Sequence, residues 1–170
     1  MKFEDVDSQL CSIARALSVI GDGWSLMLVR DAFYGRRRFS DFVTYTGAQK
    51  TVVSDRLRCL VAAGIFERVE YQQHPTRHEY RLTDKGRDLT GVMLSLMAWG
   101  DRWLDGDDGP PIEVTHTSCD HDADPRVVCG HCHAELALEH LRSGPGPGFP
   151  ERGPRIFTLD PDDRDERHAG

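Results

Sequence analysis

Along residues 11–104 apolar side chains return every three or four positions and glycines punctuate the runs, a pattern that predicts several short amphipathic helices. "CSIARALSVIG" sets Ile13, Ala14, Leu17 and Ile20 at helical spacing and can stop at Gly21. "GWSLMLVRDAF" reads as a mostly buried helix ended by Gly35. "RFSDFVTYTG" follows, with Ser40 as the expected cap and Gly47 as the stop. "QKTVVSDRLRCLVAAG" places Val53, Leu57, Leu60, Val61 and Gly64 along one side. The pattern then shortens to alternation. Phe66 to Tyr71 and His78 to Leu82 read as two strands around a turn at Pro75. Thr83 opens a long last helix, expected to run to about Leu104, with Leu89, Met93, Leu96, Met97, Gly100, Trp103 and Leu104 in one stripe.

Past Leu104 the periodicity ends. "DGDDGPP", residues 105–111, reads as a linker, and a compact Cys/His-rich segment fills 112–142. Residues 143–170 are rich in Gly, Pro and Asp and have little to bury, so a disordered acidic tail is expected there, with "RIFTL" at most a short apolar patch. The predicted division is therefore 1–104, 105–111, 112–142 and 143–170.

Composition changes this picture mainly through the placing of charge. The chain of 170 residues is 39% apolar and 29% charged, as a globular protein is, and its formal charge is −7. That total hides an asymmetry: residues 1–104 hold 15 basic against 13 acidic side chains, whereas 105–170 hold 6 against 15. Within 30–87 the count is 12 basic to 7 acidic, enough for a local basic face that attracts phosphate despite the negative total. No window reaches the ~18 consecutive apolar residues of a membrane span, and the first residues lack the basic-then-apolar pattern of a signal peptide. A cytoplasmic protein is the expectation, and its five cysteines are then expected to be free, metal-bound or redox-active.

Helix, helix, helix, helix, strand, turn, strand, helix is the order of a winged helix-turn-helix. The expected fold class is thus mainly α with a small β-hairpin wing, followed by the Cys/His-rich extension and the tail. Such a fold meets DNA for a simple reason: a helix fits the major groove, and a basic hairpin beside it reaches phosphate or the minor groove. On the fourth helix Thr51, Ser54, Asp55 and Arg58 fall opposite Val53 and Leu57, offering short polar groups and one guanidinium to base edges and phosphates. The stretch from Gln49 to Arg58 adds Gln49, Lys50 and Arg56, and the turn between the strands adds His74 and Arg77, with His78 beside them at the wing tip. Double-stranded DNA is the expected partner. No Gly-rich phosphate loop, nucleophile elbow or well-placed carboxylate pair is found, so no catalytic residues are expected.

Two stretches, "CSIARALSVIGDGWSLMLVRDAFYGRRRFSDF" and "VVSDRLRCLVAAGIFERVEYQQHPTRHEYRLTDKG", closely resemble the HxlR-type branch of MarR-like bacterial transcription regulators. The resemblance rests on Cys11, Gly21, Trp24, the Arg38-Phe39-Ser40-Asp41 opening, Asp55-Arg56-Leu57-Arg58 and, most tightly, the run Pro75–Thr83 with Lys85-Gly86 after it. It covers about residues 8–104. It implies a regulator, with repression by promoter occlusion the expected mode, and adds Arg38 to the DNA-contacting set. It further implies a homodimer joined through its first and last helices, with Leu10, Ile13, Leu17, Leu96, Trp99 and Trp103 at the interface. The chain departs from the family's habit at Gly23, where Lys is frequent, and at Gln49, where Pro is frequent. Gln49 can hydrogen-bond a base or a phosphate, so the operator preference is expected to differ.

The cysteines raise separate questions. Cys59 reads as a semi-buried, inert thiol. Cys11 occupies the place where some regulators resembling this chain carry a sensor of oxidants or electrophiles; a helix N-terminus and a nearby cation such as Arg15 would favour the reactive thiolate. A small hydrophobic effector is the alternative switch. In "HTSCDHDADPRVVCGHC", His116-x2-Cys119 and Cys129-x2-Cys132 form two chelating pairs with ligand spacing for tetrahedral zinc. A hairpin through Arg126-Val127-Val128 is expected to bring the pairs together, with His121, His131 and His133 as other possible fourth ligands. A structural Zn2+ would explain how so small a segment folds. "CGHC" also matches the dithiol of disulfide-isomerase-type proteins, with "AELALEH" as a helix beneath it, which makes a thiol-disulfide oxidoreductase the alternative function. That reading is short of chain, because a thioredoxin fold needs ~100 residues and a multi-stranded sheet.

Overall fold

The computed structural model describes residues 11–104 and 109–149. Leu10, the 105–108 part of the expected linker and the 150–170 part of the expected tail lie outside the described residues. The chain divides into two compact units, Met1–Gly109 and Pro110–Gly170.

In the first unit the helices are α1 (Ser12–Ile20), α2 (Gly23–Phe33), α3 (Phe39–Thr46) and α4 (Lys50–Ala62), followed by strands β1 (Phe66–Gln73) and β2 (Thr76–Leu82) and helices α5 (Asp84–Arg87) and α6 (Thr90–Trp103). This is a mostly helical winged helix-turn-helix with one two-stranded antiparallel hairpin. The core is built by the positions that helical spacing selects. Leu28 and Val29 of α2, Phe42 of α3 and Val53, Leu57 and Leu60 of α4 are buried together with Ile65 and Phe66. Phe42 is the hub, meeting the rings of Phe66 and Tyr80 edge-on at centroid distances of 5.9 and 6.3 Å.

Local chemistry sets the helix ends. Asp22 caps α2 by accepting from the Ser25 backbone N–H at 3.0 Å, and the buried Ser25 hydroxyl donates to the same carboxylate. Helix α3 starts two residues earlier than expected: Arg38, not Ser40, is the N-cap, and the Asp41 carboxylate reaches back to the Arg38 N–H at 3.4 Å. Gly47 at φ +69° lets the chain leave α3 and enter α4 within three residues, the tight turn that holds the two helices at their working angle.

The expected last helix is two helices. Thr83 does cap it, accepting from the Gly86 N–H at 3.1 Å while its hydroxyl donates to the Gly64 carbonyl at 2.6 Å. Lys85 donates to the Ala63 carbonyl at 2.8 Å, so "TDKG" fastens the chain leaving the hairpin onto the C-terminal end of α4. A Cβ at Gly86 would stand 2.3 Å from the Ile65 carbonyl oxygen, so only glycine permits this approach. The chain then breaks at Asp88–Leu89 before α6 begins. The periodic pattern could not signal the break, because both helices draw on the same apolar stripe. Leu89 and Met93 pack against the core, but none of the α6 residues is buried, and Leu96, Trp99 and Trp103 are 48, 56 and 67% exposed.

The second unit is of a different kind. Two-residue strands β3 (Thr115–His116) and β4 (His121–Asp122) form one small hairpin. A single bridge, Val128 to Glu135, closes another. The expected helix over "AELALEH" is only a 3₁₀ turn, Leu138–His140. Among the described residues of this unit, none is buried.

Candidate nucleic-acid interface and thiol sites

Burial divides helix α4 cleanly. Val53, Leu57 and Leu60 face the core, while Lys50, Thr51, Ser54, Asp55 and Arg58 are exposed, and Gln49 is exposed at the N-cap. Three of the contact residues expected on α4 are engaged within the chain. Asp55 and Arg58 pair with each other one turn apart. Arg56 is half-buried and turned toward Asp22, the α2 cap, at 3.4 Å, so it ties α4 to α2 rather than standing free.

The hairpin supplies the second part. In the register Arg68 stands opposite Tyr80 and Glu70 opposite His78, and the pairing shifts between Glu70 and Gln72, so a bulge at Tyr71 turns the distal part of the wing. The base of the wing is stitched to the α2–α3 connection by the Tyr80 N–H donating to Arg37 O at 2.7 Å and by the Arg38–Glu79 bridge. Between this connection and the wing lies a groove of about 350 Å³ that brings together Arg38, Ser40, Arg68, Tyr71, Arg77 and His78. The Arg38 guanidinium lies over the Tyr71 ring, 5.1 Å from its centroid. Arg68 donates to His78 Nδ1 at 3.0 Å; arginine has no acceptor, so this nitrogen of His78 is the unprotonated one in that contact. The groove can hold an anionic chain such as a sugar-phosphate backbone. Sequence reasoning named Arg38 and Arg77, with His78 at the wing tip, and missed Arg68 and Tyr71. Strand alternation from Phe66 through Arg68, with His78 and Tyr80 across the hairpin, was the available signal.

The thiols differ in setting. Cys11 is exposed at the N-cap of α1, and its carbonyl accepts from the Arg15 N–H at 3.1 Å, while the Arg15 guanidinium donates to Ser12 at 3.2 Å. Cys59 is exposed, not semi-buried, because the inward positions of α4 are 53, 57 and 60 and residue 59 falls outside that stripe.

In the second unit the two residues of each expected pair lie beside each other. His116 Nδ1 and Cys119 Sγ are 3.3 Å apart. Around Cys129 the N–H groups of Cys132 and His131 and the Cys132 side chain hydrogen-bond to the sulfur, which holds the Cys129 thiol below its ordinary pKa. The hairpin through Val127 and Val128 does not bridge the pairs as expected. Val128 pairs forward with Glu135, so this hairpin frames Cys129 and Cys132 alone. Among the described residues no three His, Cys, Asp or Glu side chains gather at one point. Nor does this unit hold, among the described residues, the multi-stranded sheet and helix that a thioredoxin-type dithiol needs, and the oxidoreductase alternative finds no support in it.

A trihelical core with α4 set after a tight turn and a basic hairpin beside it defines the first unit as a winged helix-turn-helix DNA-binding protein. The model of the HxlR-like helix-turn-helix family matches residues 19–108, and the chain belongs to that family. It is 46% identical over 138 residues to the uncharacterized HTH-type transcriptional regulator Rv3095 of Mycobacterium tuberculosis, covering 81% of this chain and 87% of the relative. The crystal structure of PA1607, a candidate transcription factor, superposes with a TM-score of 0.74 at 34% identity, over 82% of this chain and 98% of that one. The redox regulator HypR in its oxidized form has a TM-score of 0.52 at 33% identity, over 56% of this chain and all of HypR. An alignment of 138 residues cannot fit within the 109 of the first unit, so the likeness to Rv3095 runs into the second. The protein is thus a transcription regulator with a DNA-binding fold. Among its described residues no single helix is long and apolar enough to cross a membrane.

Proposed function

We propose that the protein is a cytoplasmic, non-enzymatic repressor that binds a two-fold related operator as a homodimer. The observation that carries this reading is the groove joining Arg38, Arg68, Arg77 and His78 to the start of α3, in the same unit as a recognition helix with an exposed polar edge. Lys50, Thr51, Ser54 and Gln49 meet base edges and nearby phosphates in the major groove, and the arginines hold the backbone beside it. Arg56 acts indirectly, by fixing α4 against α2. The dimer is supported by the exposed apolar faces of α1 and α6: Ile13 is 71% exposed and Leu17 42%, together with Leu96, Trp99 and Trp103. Large side chains left in water on two helices need a cover, and a second copy burying both faces supplies it. Half-sites about one helical turn apart follow from that symmetry.

The switch is the thiol of Cys11. It is exposed at the N-cap of α1, the helix that joins the copies, so an oxidant adduct or disulfide there shifts the subunits and the spacing of their α4 helices. Fluorescence anisotropy on DNA from upstream of the protein's own gene, against scrambled DNA and with or without diamide, tests the reading. Selective binding that diamide abolishes in the wild type but not in Cys11→Ser supports it in full. Selective binding indifferent to diamide removes the thiol switch and favours a small-molecule effector. Equal, weak binding to selected and random sequences alike overturns the regulator reading.

A further inference from the structure

The second unit poses a physical problem. Its described residues form two minimal hairpins with nothing buried between them, so among the described residues no hydrophobic core joins the hairpins. Each hairpin nevertheless ends in the same unusual turn. The first carries His116 and Cys119 and the second Cys129 and Cys132. In both, the residue directly after the second member of the pair adopts the left-handed conformation: Asp120 at φ +58° and His133 at φ +59°. These are the non-glycine residues with positive φ among the described residues. Such a conformation is costly for side-chain-bearing residues. Its repetition at equivalent places, one following His-x2-Cys and the other Cys-x2-Cys, marks two copies of one turn.

The turns share their hydrogen bonding. The His116 carbonyl accepts from the N–H groups of Cys119 and Asp120 at 3.1 and 2.9 Å, and the Cys129 carbonyl accepts from His133 N–H at 2.8 Å. In the second turn the N–H groups of His131 and Cys132 point at the Cys129 sulfur. A turn that wraps N–H groups around a sulfur is built to carry a thiolate. The His116 Nδ1 to Cys119 Sγ distance of 3.3 Å is close to the ~3.5 Å bite that a tetrahedral Zn2+ imposes on one nitrogen and one sulfur ligand. His121 is occupied differently, with its Nδ1 against the Cys119 carbonyl at 2.6 Å.

We propose that His116, Cys119, Cys129 and Cys132 bind one structural Zn2+ in a zinc-ribbon arrangement that folds the second unit. Each turn presents two ligands, and the ion draws the two hairpins onto each other, taking the place of the core that their described residues lack. The donor set of three thiolates and one imidazole fits zinc, and four protein ligands close the coordination sphere, so the site is structural rather than catalytic. His121 buttresses the first turn through the Cys119 carbonyl and is not a ligand.

The test is an anaerobic titration of the reduced, full-length protein with Co2+, followed by Zn2+. The expected result is one Co2+ per chain with the intense visible bands of a tetrahedral site and thiolate-to-metal charge transfer, displaced by one equivalent of Zn2+. Cys119→Ser, Cys132→Ser and His116→Ala should each weaken the affinity by more than about 10-fold, the least that losing a supporting group costs a metal site, whereas His121→Ala, His131→Ala and His133→Ala keep both stoichiometry and spectrum. The wild-type titration needs no variant to fold. An octahedral spectrum, no uptake, or uptake unchanged in a Cys129→Ser/Cys132→Ser double variant overturns the site. Loss of the metal in His121→Ala with retention in His116→Ala overturns the ligand assignment.

Discussion

The two units of this chain solve the folding problem differently. In the first, Leu28, Val29, Phe42, Val53, Leu57, Leu60 and Phe66 are withdrawn from water, and everything functional is hung on that core. The second has turns, strained residues and thiols, and nothing buried among its described residues. Burying apolar area scales with the number of residues that can surround it, so a unit of this size has little to gain from packing and much to gain from a cross-link. The comparison teaches that the chemical role of a cysteine in this protein is set by what else could hold its neighbourhood. On α4 a core exists and Cys59 is surface; among the described residues of the second unit no side chain is buried, and the thiols take on the connecting role.

The largest effect that could break this contrast comes from the hub of the core. Phe42→Ala should cost about 3–5 kcal/mol and collapse the cooperative unfolding of the first unit in a urea titration, while metal stoichiometry in the second stays at one per chain. Loss of metal uptake in that variant would mean the units fold as one. The reverse experiment is a strong chelator followed by hydrogen exchange. Amides of 112–142 should lose protection and those of 12–62 should keep it.

Gly86→Ala comes next, because its methyl meets a backbone carbonyl that cannot swing aside. A loss of about 1–3 kcal/mol in thermal or urea unfolding is expected, together with weaker DNA binding as the hairpin end shifts against α4. Trp99→Glu with Trp103→Glu should leave the fold intact and move the sedimentation coefficient to that of a monomer. A dimer that survives would place the interface elsewhere.

The smaller effects sharpen the comparison. Arg77→Ala should weaken binding to selected and random DNA alike and lower the salt slope by about one, whereas Thr51→Ala or Ser54→Ala should alter preference among sites. Equal effects from both kinds of change would refute the division between wing and helix. In the second unit, the lowered pKa of Cys129 means its thiolate persists to a lower pH than that of an ordinary cysteine. Stripping the metal should unfold the turn and abolish that difference: alkylation of Cys129 by iodoacetamide, followed by mass spectrometry, should then fall from pH 9 toward 7 in parallel with that of N-acetylcysteine. A Cys129 that holds up better would show that the turn keeps its N–H groups on the sulfur without metal.

Much of the first unit was legible in the residues. Helical spacing found α1 to α4, alternation found the hairpin, and Gly47 announced the turn before the recognition helix, because each is a local preference with a one-residue or one-turn range. The break at Asp88–Leu89 was hidden, since an apolar stripe continues across it. Arg56 looked like a DNA contact on a helical wheel, and only the packing of α4 on α2 brought it to Asp22. Arg68 was hidden for the same kind of reason: it lies ten residues from His78 and meets it only through the register of the strands.

The residues alone therefore settled the order of elements as far as the hairpin, the family and the His/Cys spacing of the second unit, all of which depend on near neighbours. What only the tertiary structure decided was which polar side chains remain free for DNA, and that α6 stays uncovered in one copy. The matching left-handed turns at Asp120 and His133 also belong to it. Those are outcomes of competition among distant groups for the same space and the same hydrogen bonds, and no local pattern records who wins.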